Sequence, residues 1–298
     1  MRIATMLTGA AVALACTVPV AAVAAPATTT TWGLDRIDQR ALPLSSSYAA
    51  PTGAGVTVYV VDTGIRTTHK EFGGRATDGY GTDGDCNGHG THVASTIGGA
   101  TYGVAENVKL VGVRVLDCKG TGSYKQIIAG IDWVAKQTAR PAVANLSLGG
   151  TTSKALDDAV DRAVAKGITV VVAAGNDNRD SCTQSPARTP SAITVGATDQ
   201  KDTRWSSSNY GSCVDIFAPG VRIEGASTAS NTAVKLMSGT SMAAPHVAGA
   251  AALVLAAHPS YTPAQVRDEL VAQAGTGSIR NPGKGSPNRM LYTGYLSR

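Results

Sequence analysis

The chain has few aromatic residues, few charged residues and no cluster of basic residues. Aromatic side chains make up 5% and charged side chains 16% of its 298 residues, and the net charge of +5 is spread along the sequence. A nucleic-acid-binding surface needs clustered Lys and Arg, so we expect no nucleic-acid partner. After the first 25 residues no apolar run approaches the ~20 residues of a membrane helix, so we expect no membrane partner.

Hydrophobic residues are abundant, at 43% of the chain, and glycine is frequent, with 34 residues. A disordered chain combines low hydrophobicity with high net charge, so this composition excludes that class. The length suffices for a large buried core. With so few aromatic residues, we expect that core to be aliphatic and rich in alanine, with many turns that use glycine.

The N-terminus predicts a secretory signal peptide over residues 1–25. Arg2 precedes an apolar run over residues 3–23, which ends in an Ala-x-Ala cleavage site. A lipoprotein signal that uses Cys16 is the alternative, but the residue three positions earlier is smaller than such signals require. Residues 26–298 are then expected to form one secreted, extracellular domain.

Removal of this signal leaves four cysteines, which are Cys86, Cys118, Cys182 and Cys213. An even number in an exported chain predicts two disulfides, and four cysteines allow three pairings. The sequence has no C-x-x-C pair, so we do not expect a zinc site.

Apolar runs alternate with helix-like segments along the chain. Continuous β-branched runs, such as residues 56–61 and 168–174, are typical of strands that are covered on both faces. The segment 154–166 has apolar residues at helical spacing and is followed by Gly167, a common helix stop. This alternation predicts an α/β fold with a doubly wound, mostly parallel sheet between two layers of helices.

Four motifs carry candidate catalytic groups. Asp62 follows the first strand in VDTG, His92 lies in NGHGTHVAS, Asn176 ends AAGN, and Ser241 begins a helix in GTSMAAPHVAG. A serine hydroxyl is a weak nucleophile that needs a base, and an imidazole with a pKa near ~6.5 can take its proton. A carboxylate can fix the imidazole tautomer. The chain order Asp, His, Ser is that of subtilisin.

These four motifs, in this order, resemble the signature motifs of the subtilases. The similarity extends from Trp32 to Tyr295 and is closest to the proteinase K branch, especially to aqualysin-type secreted alkaline proteases. It implies a serine endopeptidase of broad specificity that acts through an acyl-enzyme. In this assignment Asp62 orients His92, His92 activates Ser241, and Asn176 with the Ser241 backbone forms the oxyanion hole. His89 and His246 are then expected to be structural.

The resemblance also implies a binding groove for extended protein and peptide substrates on a monomeric enzyme. Two glycine-containing edges are expected to pair with the substrate backbone, and a wall of small residues to line the first subsite. The predicted groove residues are Gly120, Thr121, Gly122, Tyr124, Ser147, Leu148, Gly149, Ala173, Ala174 and Gly175.

Disulfide pairing and calcium binding follow from the same resemblance. It implies the pairs Cys86–Cys118 and Cys182–Cys213, and structural Ca²⁺ with no organic cofactor. Calcium prefers several hard oxygen ligands, including backbone carbonyls. The first predicted site comprises Asp35, Asp38, Gln39, Ser45 and Ser47. The second comprises the Asp215 carboxylate and the carbonyls of Pro190 and Ala192.

One departure from the family keeps other functions open. Secreted subtilases carry a prodomain after the signal, and the sequence between the predicted signal and Trp32 is expected to be too short for one. A catalytically silent subtilase fold that acts as a binding protein is therefore the second hypothesis. An α/β-hydrolase esterase is the third, and it is disfavoured because the Ser241 motif is not G-x-S-x-G.

Overall fold

Residues 30–297, which the computed structural model describes, are organised around a nine-stranded sheet. The predicted signal peptide lies outside the described residues. The strands in chain order are β1 (Thr57–Asp62), β2 (Ala76–Tyr80), β3 (Lys109–Arg114), β4 (Ala142–Leu146), β5 (Gly150–Thr151), β6 (Ile168–Ala173), β7 (Gln184–Ser185), β8 (Ile193–Thr198), β9 (Ile216–Pro219), β10 (Ile223–Ala226), β11 (Val234–Met237), β12 (Gly275–Thr276) and β13 (Arg289–Met290).

The order of strands in the main sheet is β12-β13-β9-β8-β6-β4-β1-β3-β2. Every neighbouring pair is parallel except β12 with β13. Two small antiparallel pairs, β5 with β7 and β10 with β11, lie outside it. The predicted mostly parallel sheet is confirmed, and it brings the carboxyl ends of β1, β4 and β6 to one edge.

Helices cover both faces of the sheet. They are α1 (Trp32–Ile37), α2 (His89–Gly98), α3 (Tyr124–Lys136), α4 (Lys154–Ala165), α5 (Thr240–Ala257) and α6 (Pro263–Gln273). Successive side chains of a strand point to opposite faces, so Val58 and Val60 of β1 join the core under α2 and α5. Tyr59 and Val61 join the core under α3 and α4. The predicted three-layer α/β/α arrangement is therefore confirmed.

Helix α5 is strongly apolar along its whole length. Its 18 residues have a mean hydropathy of 1.4, enough by length and composition for a membrane span, but 83% of them are buried inside the protein. Alanine and glycine are frequent in its sequence, so its backbone can lie close to the strands beneath it. Core packing thus accounts for its composition, and its first turn carries Ser241.

Both predicted disulfides are present, as Cys86–Cys118 and Cys182–Cys213. The first joins the loop before α2 to the segment after β3. The Asn87 side-chain amide reinforces this connection by donating to the Cys118 carbonyl at 3.0 Å. The loop that leads into α2 is thereby fixed to the edge that continues into Gly120.

Candidate active site

Asp62 ends β1, a central strand of the sheet, and its side chain is fully buried. The residue that faces it is His89, the first residue of α2. His89 Nδ1 lies 2.7 Å from Asp62 Oδ1 and 2.9 Å from Oδ2. The Thr63 N–H also donates to Asp62 Oδ1, at 2.7 Å. A carboxylate held in this way fixes the proton of His89 on Nδ1 and leaves Nε2 as the free ring nitrogen.

The predicted pairing of Asp62 with His92 is wrong. His92 is fully buried, and its Nε2 lies 3.0 Å from the Ile223 carbonyl and 3.1 Å from that of Lys235. The ring packs so closely under β10 that a Cβ on Gly225 would lie 2.8 Å from it. Helix α2 begins at His89, whose ring faces the end of β1, whereas the His92 ring is directed into the core.

The two histidines also differ in their electrostatic surroundings. Burial by itself lowers the pKa of His89, but the Asp62 carboxylate outweighs it, with a smaller contribution from Asp85, and the pKa is raised above its usual value. Burial is again the largest effect at His92, where only two carbonyl contacts oppose it, and the pKa falls to about 4. The His89 ring therefore keeps its proton to a higher pH than the His92 ring does.

Asp85 holds the start of α2 in place. Gly88 at the N-cap has no side chain to cap the helix, and the Asp85 carboxylate does so instead. Its Oδ1 accepts from the N–H groups of Asn87 and Gly88 at 2.9 and 2.8 Å. Its Oδ2 accepts from the Thr91 N–H at 3.0 Å and the Thr91 hydroxyl at 2.6 Å. The backbone on both sides of His89 is thus fixed by one carboxylate.

Ser241 is the second residue of α5, so its N–H belongs to the first turn, where no carbonyl within the helix accepts it. Its hydroxyl donates to the Ser147 carbonyl at 3.2 Å. Asn176 is oriented beside it, because Asn176 Oδ1 accepts from the Thr240 N–H at 2.9 Å and the Thr240 hydroxyl at 2.8 Å. The Asn176 amide nitrogen is left free to donate elsewhere.

His89 and Ser241 line one open cavity of about 530 Å³. The predicted edge residues Gly120, Thr121, Gly122, Tyr124, Ser147, Leu148 and Gly149 line the same cavity. The Tyr124 hydroxyl donates to the Thr151 carbonyl at 2.6 Å, which joins the two edges across the groove. The structure thus brings both predicted edges together around these two candidate catalytic side chains.

A second cavity, of about 210 Å³, adjoins Ser241 and is lined by Asn176 and by the predicted Ala173 and Gly175. The prediction that Ala174 also forms this wall is wrong. Ala174 is fully buried and packs with Phe217 in a separate cluster, because successive residues of an extended chain face opposite sides.

Several lining residues were not predicted. Leu116, Lys119 and Ile127 lie in the larger cavity, and Asp177 and Gln184 in the smaller one. Leu116 lies just beyond β3, and a search of strand ends could have found it. Gln184 belongs to a two-residue strand that has no recognisable sequence signal.

The residues of the first predicted calcium site lie close together in the structure. Asp35 Oδ1 accepts from the Ser45 N–H at 3.0 Å and the Ser45 hydroxyl at 2.9 Å, and Gln39 Oε1 accepts from the same N–H at 3.0 Å. The Ser47 hydroxyl lies 2.8 Å from that of Ser45. Burial, and then the charge of Asp35, raise the pKa of Asp38. Two repelling carboxylates among amide and hydroxyl oxygens fit a hard cation.

The second predicted site does not fit a calcium ion. The Pro190 carbonyl, one of its expected ligands, accepts a hydrogen bond from Arg267 Nη1 at 2.7 Å. Arg267 and Arg289 both act on the Asp215 carboxylate. The positive charges of Arg267 and Arg289 therefore already act on these oxygens. Within residues 30–297, no group of three or more His, Cys, Asp or Glu side chains is placed to hold a metal.

Comparison with known proteins identifies the family. The model of the subtilase family matches residues 53–291. The chain belongs to the subtilase family. It is 58% identical to an extracellular serine proteinase of Thermus sp. (strain Rt41A) over 281 residues, covering 92% of this chain and 68% of that relative. It is 53% identical to alkaline serine exoprotease A of Vibrio alginolyticus, covering 92% of this chain. The chain spans only 52%, about half, of that Vibrio relative.

The crystal structure of a cold-adapted subtilisin-like serine proteinase superimposes with a TM-score of 0.87. It shares 52% sequence identity, and the match covers 89% of this subtilase and 98% of the other chain. The expected family and fold are therefore confirmed, and the chain is a subtilisin-like serine proteinase. Subtilisin-like proteins generally bind structural calcium.

Proposed function

We propose that this subtilase is a serine endopeptidase whose catalytic residues are Asp62, His89 and Ser241. The observation that carries the proposal is the 2.7 Å contact of His89 with Asp62 at a cavity that Ser241 also lines. His89 replaces His92 in the role expected from the sequence. His92 is unsuited to it because its Nε2 is engaged by two carbonyls and its ring is fully buried.

The proposed reaction begins when His89 Nε2 takes the proton of the Ser241 hydroxyl. The Ser241 oxygen attacks the scissile carbonyl carbon and forms a tetrahedral intermediate. The C–N bond then breaks while His89 returns its proton to the leaving amine, which gives an acyl-enzyme. Water then attacks the acyl carbon by the same steps, with His89 as the base, and the carboxylic acid product leaves Ser241. The Asp62 carboxylate stabilises the imidazolium that forms twice in each cycle.

The negative oxygen of each tetrahedral intermediate needs two donors. We assign these to the Asn176 side-chain amide and the Ser241 backbone N–H. The Asn176 oxygen is engaged by Thr240, which directs its NH₂ group away from that residue. The Ser241 N–H lies at the positive end of an 18-residue helix. Donors that are oriented before the reaction need no rearrangement as the charge develops.

Substrate binding is assigned to the larger cavity, with an extended peptide lying between the edges at Gly120–Gly122 and Ser147–Gly149. The glycines permit close approach of the substrate backbone. The first subsite is assigned to the smaller cavity, where Ala173 and Leu148 form apolar walls. These walls support broad specificity for apolar side chains, while Gln184 adds a polar group to the pocket.

The remaining assignments concern the state of the mature protein. We infer that residues 26–298 form a secreted, monomeric peptidase domain that follows a signal peptide over residues 1–25. The first relative is described as extracellular, which supports export. We also assign one structural calcium ion to the Asp35–Ser47 cluster, whose oxygen atoms suit it. Bound calcium would neutralise the paired carboxylates of Asp35 and Asp38 there.

Casein hydrolysis tests the proposed activity. We expect the wild-type protein to hydrolyse casein, a serine-directed fluorophosphonate to abolish the activity, and Ser241→Ala to be inactive while its circular dichroism spectrum is unchanged. A well-folded wild-type protein that does not hydrolyse casein refutes the proposal and favours the silent binding protein. Cleavage of ester substrates without cleavage of casein favours an esterase.

A further inference from the structure

The Asp215 carboxylate and the carbonyls of Pro190 and Ala192 belong to the segments that enter β9 and β8. Asp215 directly precedes β9 and is tied to β8, because its N–H donates to the Thr194 carbonyl at 2.9 Å. In return the Thr194 N–H donates to Asp215 Oδ2 at 2.8 Å. Pro190 and Ala192 lie in the segment that enters β8. Three oxygen ligands of this kind would ordinarily attract a divalent cation.

Helix α6 places a positively charged side chain, that of Arg267, beside the Pro190 carbonyl. Val266 and Leu270 are fully buried and fix one face of this helix against the core. Arg267 follows Val266, and its guanidinium donates through Nη1 to the Pro190 carbonyl at 2.7 Å. A short hydrogen bond from a charged donor is stronger than one between neutral groups. The carbonyl that would ligate a metal is thus engaged by a positive charge.

A second arginine approaches Asp215 from the sheet. Arg289 begins β13, which runs parallel to β9 with Met290 opposite Phe217. Arg289 is therefore opposite Ile216, one residue from Asp215. Burial raises the pKa of Asp215, whereas the Thr194 hydrogen bond, Arg267 and Arg289 oppose that rise. Positive charge from both arginines thus acts on this carboxylate and would also act on a divalent cation placed there, while Arg267 Nε itself pairs with Asp268 Oδ1 at 3.7 Å.

We propose that the Arg267 guanidinium, assisted by Arg289, takes the place of a metal ion at the Asp215 site. The start of β8 and β9 is then joined to α6 by a side chain of the protein rather than by calcium. Any calcium bound by this protein is located elsewhere, with the Asp35–Ser47 cluster as its assigned site. At that cluster the neighbouring charge is negative, because burial and then the charge of Asp35 raise the pKa of Asp38.

Calcium stoichiometry tests this proposal independently of catalysis. All proteins carry Ser241→Ala to prevent self-digestion, are stripped with a chelator and are then equilibrated with millimolar calcium, and bound metal is measured after dialysis. We expect Arg267→Ala to bind one calcium ion per chain more than the parent. Adding Asp215→Asn should remove that gain, and Arg267→Lys, which keeps the charge, should bind no more calcium than the parent.

The parent protein provides the decisive comparison, because it does not depend on the stability of an Arg267 variant. With Arg267 present, Asp215→Asn should leave the number of bound calcium ions unchanged. Loss of one ion per chain in that variant overturns the proposal, since calcium would then occupy the site beside the arginine. A folded Arg267→Ala protein that gains no calcium also contradicts it.

Discussion

Substitution of the two histidines of α2 should have opposite consequences. His89→Ala removes the group that contacts Asp62, and we expect kcat to fall by about 10⁴- to 10⁶-fold, with KM little changed. The upper figure is that of subtilisin, a member of the same family, so it is carried over to this chain. His92→Gln keeps a donor for the carbonyls of Ile223 and Lys235, and kcat should fall by less than about tenfold.

Stability should change in the opposite order. The His92 ring fills a buried space under Gly225 and shares its Nε2 between two carbonyls, so its replacement is expected to cost about 1–3 kcal/mol of unfolding free energy. His89 is 20% exposed at its side chain and should cost less. Steady-state hydrolysis of a chromogenic peptide and urea unfolding measure the two effects. If His92→Gln is inactive while His89→Ala retains wild-type kcat, the assignment is refuted.

Three further predictions concern the surroundings of the site. Asp85→Asn removes a negative charge that raises the pKa of His89, so the acid limb of kcat/KM should move to lower pH, and an unmoved limb contradicts this role. Asn176→Ala should lower kcat by about 10²- to 10³-fold, a range again carried over from subtilisin, with little change in KM. A chelator should lower the melting temperature by roughly 5–10 °C, and Asp38→Asn should abolish that difference; an unchanged melting temperature in the wild type refutes the first calcium site.

The sequence predicted the positions of Asp62, Asn176 and Ser241 because each marks the end of a strand or the start of a helix. Parallel strands bring their carboxyl ends to one edge, so residues far apart in sequence were expected to lie together. The choice between His89 and His92 failed. Both lie in one motif, three residues apart, and contacts with distant segments, Asp62 for one ring and the carbonyls of Ile223 and Lys235 for the other, distinguish them.

The features that could not be predicted depend on contacts between distant segments. The guanidinium of Arg267 reaches a carbonyl 77 residues away in sequence, and no local pattern on α6 indicates that target. The lining of the smaller cavity by Gln184 depends on where a two-residue strand is placed. Capping of α2 by Asp85 could have been inferred, because a carboxylate shortly before a helix with a glycine N-cap is a suitable partner for its free N–H groups.

The most direct measurement is fluorophosphonate labelling. It shows which residue reacts and whether the reaction depends on His89 or on His92. The reagent reports on activation of the nucleophile itself, and peptide mass spectrometry locates the modified residue. The account predicts rapid labelling at Ser241 in the wild type and in His92→Gln, and almost none in His89→Ala. Labelling of Ser241 in His89→Ala at the wild-type rate, or labelling at a different serine, contradicts the central claim that His89 activates Ser241.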